Sequence, residues 1–434
     1  MKKFSWLTGI MMMIVVGILL TGCSRQGEQK ESTKQTELLI GYFALPGGPE
    51  EKMQEIVKIF EAEHPEIKVK TRSAGYSEFF TKLKNELAAG IAPDVWLSDG
   101  VFVQEYAERG VLLELTDLAK DVFTKEKFYG IEESKDNDGR IWGIPQGIQV
   151  GVLYYNKDMF NQNGLSFPTE DWTLDDLRKT ALKLSKDTNG DSQLDVWGVS
   201  MPKDITDGWF PIIKQFGGQI LDESKTKCVL DNSKSVAALE FISALIMKDK
   251  SAPTTIQYGG TSLSNLFPAE KVAMTYGLYS RIIAANQVNI NYDVQVCPQG
   301  PSGDRFSSLI ANSWVINKKA SSAKQNAAWE WIKFYSGKKA QEMMTELGEA
   351  VPMNREVTDG PDFLKIKDNP VNRSAFVKSL AFAGTLDQNG CWAEWINKMN
   401  QQLEPIYSGK KSVNQILPNA IKEVQVVLDR FYKK

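Results

Sequence analysis

The chain has 434 residues, 42% of them hydrophobic and 24% charged, and a formal net charge of −3. That balance belongs to an ordinary globular protein and leaves no basic surface of the kind nucleic acid demands. A single histidine argues against histidine-rich metal centres, and any Ser-His-Asp or Cys-His mechanism would depend on His64 alone.

Lys2 and Lys3 precede a run from Trp6 to Leu20 without a charged residue, closed by Leu20-Thr21-Gly22-Cys23. A basic start, an apolar stretch and small residues at a cleavage point describe a secretory signal over 1–22. The run also falls short of the roughly 20 apolar residues of a spanning helix. Its last four residues resemble the lipobox of bacterial lipoproteins. That resemblance implies cleavage before Cys23, diacylation of Cys23 and attachment to the outer face of the cell membrane, where two acyl chains hold what one would not. Residues 23–36 contain no large apolar side chain and are expected to form a flexible tether.

The remaining stretch, about 400 residues, exceeds the roughly 250 to 300 that one core supports, so two lobes are expected. A strand is expected over 38–43, then a turn at Pro46-Gly47-Gly48-Pro49 and a helix over 50–63 with Met53, Ile56, Val57 and Phe60 on one face. A strand over 67–71, a helix over 78–89 ended by Gly90 and a strand over 94–97 complete an alternating α/β pattern with mainly parallel strands. Ligands bind beyond the carboxyl ends of such strands, which directs attention to residues 43–48, 73–76 and 98–101. A second α/β stretch has strands over 150–155, 196–200, 271–275 and 292–296 and helices over 173–184, 211–216 and 235–247. From about residue 321 the chain reads as mainly helical, over 327–335, 338–347, 391–406 and 413–432.

Three further cysteines, Cys228, Cys297 and Cys391, define no disulfide framework; one bridge or three thiols both fit. His64 precedes Pro65 and reads as a surface turn residue. Between 187 and 195, Asp187, Asn189, Asp191, Gln193 and Asp195 place oxygen donors at alternate positions, as a calcium loop begins. Ser192 stands for the usual glycine and Gly198 for the bidentate glutamate, so a structural calcium and a plain polar turn are both open readings. No other cofactor is expected.

Several segments resemble the extracellular solute-binding proteins of family 1, the maltose-binding-protein-like receptors of ABC sugar importers. They are residues 60–69, Pro93-Asp94-Val95-Trp96, Arg140-Ile141-Trp142-Gly143-Ile144-Pro145 with Leu153-Tyr154-Tyr155-Asn156-Lys157-Asp158, Lys271-Val272-Ala273-Met274, and Ser408-Gly409-Lys410-Lys411-Ser412-Val413. The resemblance implies a periplasmic-binding-protein-like type II fold, two α/β lobes around a central cleft. Lobe 1 would take 37–145 with 299–350 and lobe 2 would take 146–298 with 351–434, with hinges near Pro145-Gln146-Gly147 and Cys297-Pro298-Gln299.

A sugar needs flat aromatic surface for its ring faces and polar groups for its hydroxyls, since each unmatched group costs about 1 to 3 kcal/mol. Aromatics that follow strands are the candidates: Tyr42 and Tyr76 in lobe 1, and Trp209, Tyr279 and Trp395 in lobe 2. By resemblance, Asp99 is a hydroxyl-binding carboxylate, Trp96 an aromatic of the same strand, Tyr279 a stacking residue, and Trp395 or Trp392 a second one. Gln149 stands where the family has a glutamate, and Ala44-Leu45-Pro46 lacks the acidic-basic pair of the maltose receptor, which implies a different sugar. Trp314 could line the cleft or fill a core. The implied protein is a monomer that binds carbohydrate, docks to ABC permease subunits and catalyses nothing. A surface glycosidase using paired carboxylates and a sugar sensor for a membrane kinase are the alternatives.

Overall fold

In the computed structural model, which describes residues 35–44, 50–258 and 265–433, ten strands join in one sheet. The signal, Cys23, nearly all of the expected tether and the turn at 46–49 lie outside the described residues. Thr36, placed at the tether's end by its sequence, already belongs to a strand and pairs with Ile67.

Lobe 1 grows from the alternation seen in the sequence. β1 (Thr36–Ala44) lies between β2 (Ile67–Gly75) and β3 (Val95–Ser98), parallel to both. Helix α1 (Glu50–Glu63) buries the expected stripe of Met53, Ile56, Val57 and Phe60. Helix α2 (Tyr76–Ala89) stops at Gly90, whose φ of 73° is the left-handed conformation that glycine adopts without strain. Helix α3 (Gly100–Glu108) follows β3 directly and was not foreseen.

The strands that join the lobes are longer than their sequence suggested. β4 (Ile144–Asn156) is buried along all 13 residues. Its first half pairs with β8 (Ser307–Ile316) and its second half with β6 (Val272–Leu278) and β7 (Tyr292–Gln295). β5 (Trp197–Ser200) is the parallel outer neighbour of β6, while β9 (Val351–Pro352) and β10 (Ala383–Gly384) add to β4 and β8. The path through the sheet is β2-β1-β3-β8-β4-β6-β5. The register of β4 against β8 slips between Pro145 and Gly147, where proline cannot donate to the ladder.

One core holds Leu38, Ile40, Trp96, Ile144, Trp314 and Trp331, and this is lobe 1. Two others, around Leu153, Trp209 and Trp395 and around Tyr154, Tyr279 and Tyr292, make lobe 2. The second passage between lobes differs from the expected 297–299. Leu309, Ile310 and Ala311 pack into the lobe 2 cores and Trp314 into that of lobe 1, so the crossing falls inside β8. The chain returns between Met353, in the lobe 1 core, and Phe363.

His64 ends α1 with its ring stacked 4.6 Å from that of Phe60, a turn residue as expected. Cys228, Cys297 and Cys391 are buried free thiols. Among the described residues no helix is long and apolar enough to cross a membrane.

Candidate functional site

The carboxyl ends of the lobe 1 strands bring two of the expected residues, Asp99 and Tyr76, into contact, while Tyr42 turns to the opposite face of β1 from Phe43, which meets Tyr76. Asp99 caps α3, its Oδ1 accepting the Val101 N–H at 3.1 Å. Tyr76, the first residue of α2, donates its hydroxyl to Asp99 Oδ2 at 2.7 Å. Burial holds the Asp99 carboxyl above the ordinary range, and burial with the neighbouring Asp99 charge raises the Tyr76 phenol. Tyr42, at the end of β1, is buried and donates to Glu50 of α1. Asn312 on β8 accepts the Gly100 N–H at 3.2 Å. A Cβ at Gly100 would stand 2.6 Å from the Ala311 carbonyl, so glycine lets α3 rest on the crossing strand.

Lobe 2 contributes ends of β5 and β6. In the turn Ile205–Trp209, Asp204 Oδ1 accepts the N–H groups of Thr206 and Asp207. Asp207 takes Arg281 Nη2 at 2.7 Å, while its Oδ1 is buried without a partner. Burial outweighs the guanidinium and pushes Asp207 up to about 6. Ser308 on β8 donates to the Thr206 carbonyl at 2.6 Å. Gln149, on β4, ties the lobes by its side chain, which donates to the Glu349 carbonyl and accepts the Ser280 N–H at 3.0 Å. Burial alone pushes the Glu349 carboxyl up to about 7.

The expected aromatics are elsewhere. Trp96, Trp209, Trp314, Trp395 and Tyr279 have no exposed surface and Trp392 has 3%. Trp96 and Trp314 lie within strands rather than beyond their ends, so their rings fill the lobe 1 core, Trp314 edge-on to Trp331 at 5.6 Å. Trp209 and Trp395 donate their indole N–H groups to Asn400 and Asn389 at 3.1 Å. Trp392 meets Trp395 at 5.2 Å, nearly perpendicular. Tyr279 is covered by Phe363 and Phe376, with centroids 5.8 and 4.8 Å away, and by Arg373. None of these six presents a ring face to a ligand in this conformation, because each completes an apolar core. The sequence reading missed Asp207, Arg281, Asn312 and Glu349. The polar Asn312-Ser313 pair inside an apolar run was the one signal available for them.

The alternating oxygen loop makes internal hydrogen bonds. Asp187 accepts N–H groups of Asn189, Gly190 and Ser192, Asn189 that of Asp191, Asp191 that of Gln193, and Asp195 that of Thr188. Among the described residues no group of three or more His, Cys, Asp or Glu side chains is gathered to hold a metal ion.

Among the described residues at least three spaces lie between the lobes, one of them about 370 Å³ between Ile131, Glu132 and Glu133 of lobe 1 and Val377, Leu380 and Ala381 of lobe 2. Near α3 the lobes touch: Val101 is buried in a lobe 2 core, Glu105 accepts the Ala393 N–H at 3.4 Å, and Tyr432 donates to Glu108 at 3.3 Å. There a cavity of about 60 Å³ survives, with Gly100, Gln104 and Trp142 facing Lys225, Thr385 and Gln388. It has room for about two waters at their liquid volume. A groove of about 840 Å³ separates the helix Lys338–Leu347 of lobe 1 from the helix Arg281–Gln287 of lobe 2. Glu349, whose carbonyl takes the Gln149 amide, follows Gly348 of its lining.

The family model described as bacterial extracellular solute-binding protein matches residues 46–342. A galactooligosaccharide-binding protein of Bacillus subtilis is 25% identical over 375 residues, 84% of this chain and 84% of that protein. An ABC substrate-binding protein from Listeria monocytogenes, solved in complex with cycloalternan, superposes with a TM-score of 0.79 at 26% identity, over 92% of this chain and 99% of that one. A solute-binding protein from Thermotoga lettingae bound with alpha-D-tagatose gives 0.75 at 21% identity, over 91% and 100%. The architecture is therefore the two-lobed type II fold.

Proposed function

The chain belongs to the bacterial extracellular solute-binding protein family, and from that premise we propose that it captures a mono- or oligosaccharide between its lobes and delivers it to an ABC importer. What supports this reading is that both lobes hang polar groups on the two crossing strands: α3, capped by Asp99 with Tyr76, bonds to Asn312 of β8, the turn holding Asp207 with Arg281 bonds to Ser308 of β8, and Gln149 of β4 bonds to Ser280. Carboxylate and amide oxygens accept from sugar hydroxyls, and guanidinium and phenol groups donate to them. Ligands of the Listeria and Bacillus relatives, cycloalternan and galactooligosaccharide, support a carbohydrate.

A ligand that touches both lobes only when they are closed shifts the population toward that state. The importer then has a ligand-dependent surface to recognise, and a lipid on Cys23 would keep the receptor beside it. The test is a thermal-shift panel of mono- and oligosaccharides, followed by chromatography of the incubated sugar. At least one sugar should raise the melting temperature and be recovered intact. A panel without any shift refutes the carbohydrate reading, and a cleaved product favours a glycosidase.

A further inference from the structure

Arg373 is 3% exposed and borders the 840 Å³ groove. Among the described residues no carboxylate forms an ion pair with its guanidinium. Nη1 donates to the Tyr279 hydroxyl, and the buried Nε has no hydrogen-bond partner. The rings of Tyr279 and Phe363 stand 5.6 and 5.8 Å from Cζ. Contacts with two ring faces at that range offset only part of what it costs to remove a guanidinium from water. Buried arginines are ordinarily paired, because the five donors of the fork match a carboxylate and little else among side chains. Here the matching anion is missing from the protein, and the space beside the arginine is a groove between lobes.

The groove has the other features of a sugar site. Ile283 and Ile366 give it apolar surface, and residues of the two lobes form opposite walls, so an occupant would bridge them. Its rim carries four carboxylates as well: Glu346, held by Lys52 at 2.8 Å, Glu342, 3.9 Å from Lys338, and the exposed Asp362 and Asp368. Water and salt screen the exposed carboxylates strongly and the buried arginine less. Such a rim opposes a doubly charged phosphate more than a singly charged group.

We propose that this groove binds a sugar bearing one carboxylate, a uronic acid unit, with Arg373 as the residue that pairs with it. The proposal rests on the reading of the chain as a sugar receptor and adds the charge of the ligand to it.

Calorimetric titration of the secreted chain tests this with uronic acids and uronate disaccharides, each beside its neutral counterpart, and with sugar phosphates. At least one uronate should bind about tenfold or more tightly than its neutral counterpart, the scale of one charge-assisted pair, and added salt should narrow that gap. Arg373→Gln should abolish the preference. Should that variant not fold, the preference and its salt dependence in the unaltered protein decide alone. Neutral sugars binding as well as every uronate, a phosphate binding better, or a preference that survives Arg373→Gln would overturn the assignment while leaving a sugar receptor standing. Binding of no sugar at all would overturn both.

Discussion

Replacing Glu349 by glutamine should stabilise the protein, and only above acidic pH. Burial moves this carboxyl from an ordinary 4.5 to about 7, with no partner for the ionised form. The difference corresponds to about 3 kcal/mol of preference for the neutral acid at most. The folded-state value lies above the unfolded one, so the folded protein holds more protons between them. The stability contributed by the neutral acid is complete below about pH 4 and is lost as pH rises toward 7. A neutral amide of the same shape avoids that loss. The variant and the parent should therefore melt together near pH 4 and diverge through pH 5 to 7. Above pH 7 they should stay apart by about 3 °C, given roughly 2 cal/mol/K of unfolding entropy per residue. Calorimetric melting at five pH values reads the difference directly. Curves that stay parallel across the range would show that Glu349 is not a buried uncompensated acid.

Two more substitutions probe the lobe 1 and lobe 2 walls. Asp99→Asn retains a cap for α3 and an acceptor for Tyr76 but removes the charge. Sugar affinity measured by calorimetry should fall about tenfold while the ligand-free melting temperature holds or rises; the reverse pattern would make Asp99 structural. Arg281→Gln strands Asp207, whose side chain is 2% exposed. Such breakage costs about 3 to 5 kcal/mol. Because Asp207 sits at about 6 even with its partner, urea unfolding should show a much larger loss at pH 8 than at pH 5, and equal losses would contradict the pairing.

The alternation of strands and helices in lobe 1 was legible because each element is local: α1 shows its whole buried stripe within one turn-repeat pattern. β8 was not, because Ser307–Ile316 is buried on both faces and carries no alternation. That omission displaced the second hinge, since the crossing happens within this strand. Tyr76 became a candidate because a strand end is a local feature, and Asp99 through the family resemblance of its segment. Asp207, Arg281 and Glu349 escaped because their significance comes from burial beside a residue distant in sequence, which no local pattern records. The tryptophans misled for the opposite reason. Nothing in a sequence tells a ring that stacks on a sugar from one that fills a core, and here burial decided for the core.

The consequence reaches the mechanism of closure. With Tyr76 the one clearly exposed ring among the expected positions, a sugar ligand would be held mainly by polar groups and by aliphatic surface such as Ile283. The lobes touch near α3 in this conformation, and the space of about 60 Å³ left there shares Glu133 with the neighbouring space of about 370 Å³. Opening the contact breaks two long hydrogen bonds, Glu105 to Ala393 and Glu108 to Tyr432, and exposes Val101. Exposing one valine costs about 1.5 to 3 kcal/mol, and the two hydrogen bonds about 1 each. By that count the closed contact is favoured by at least about 3.5 kcal/mol before any ligand binds, so the open form is a minor state, and a ligand that bridges the lobes adds to a preference already present.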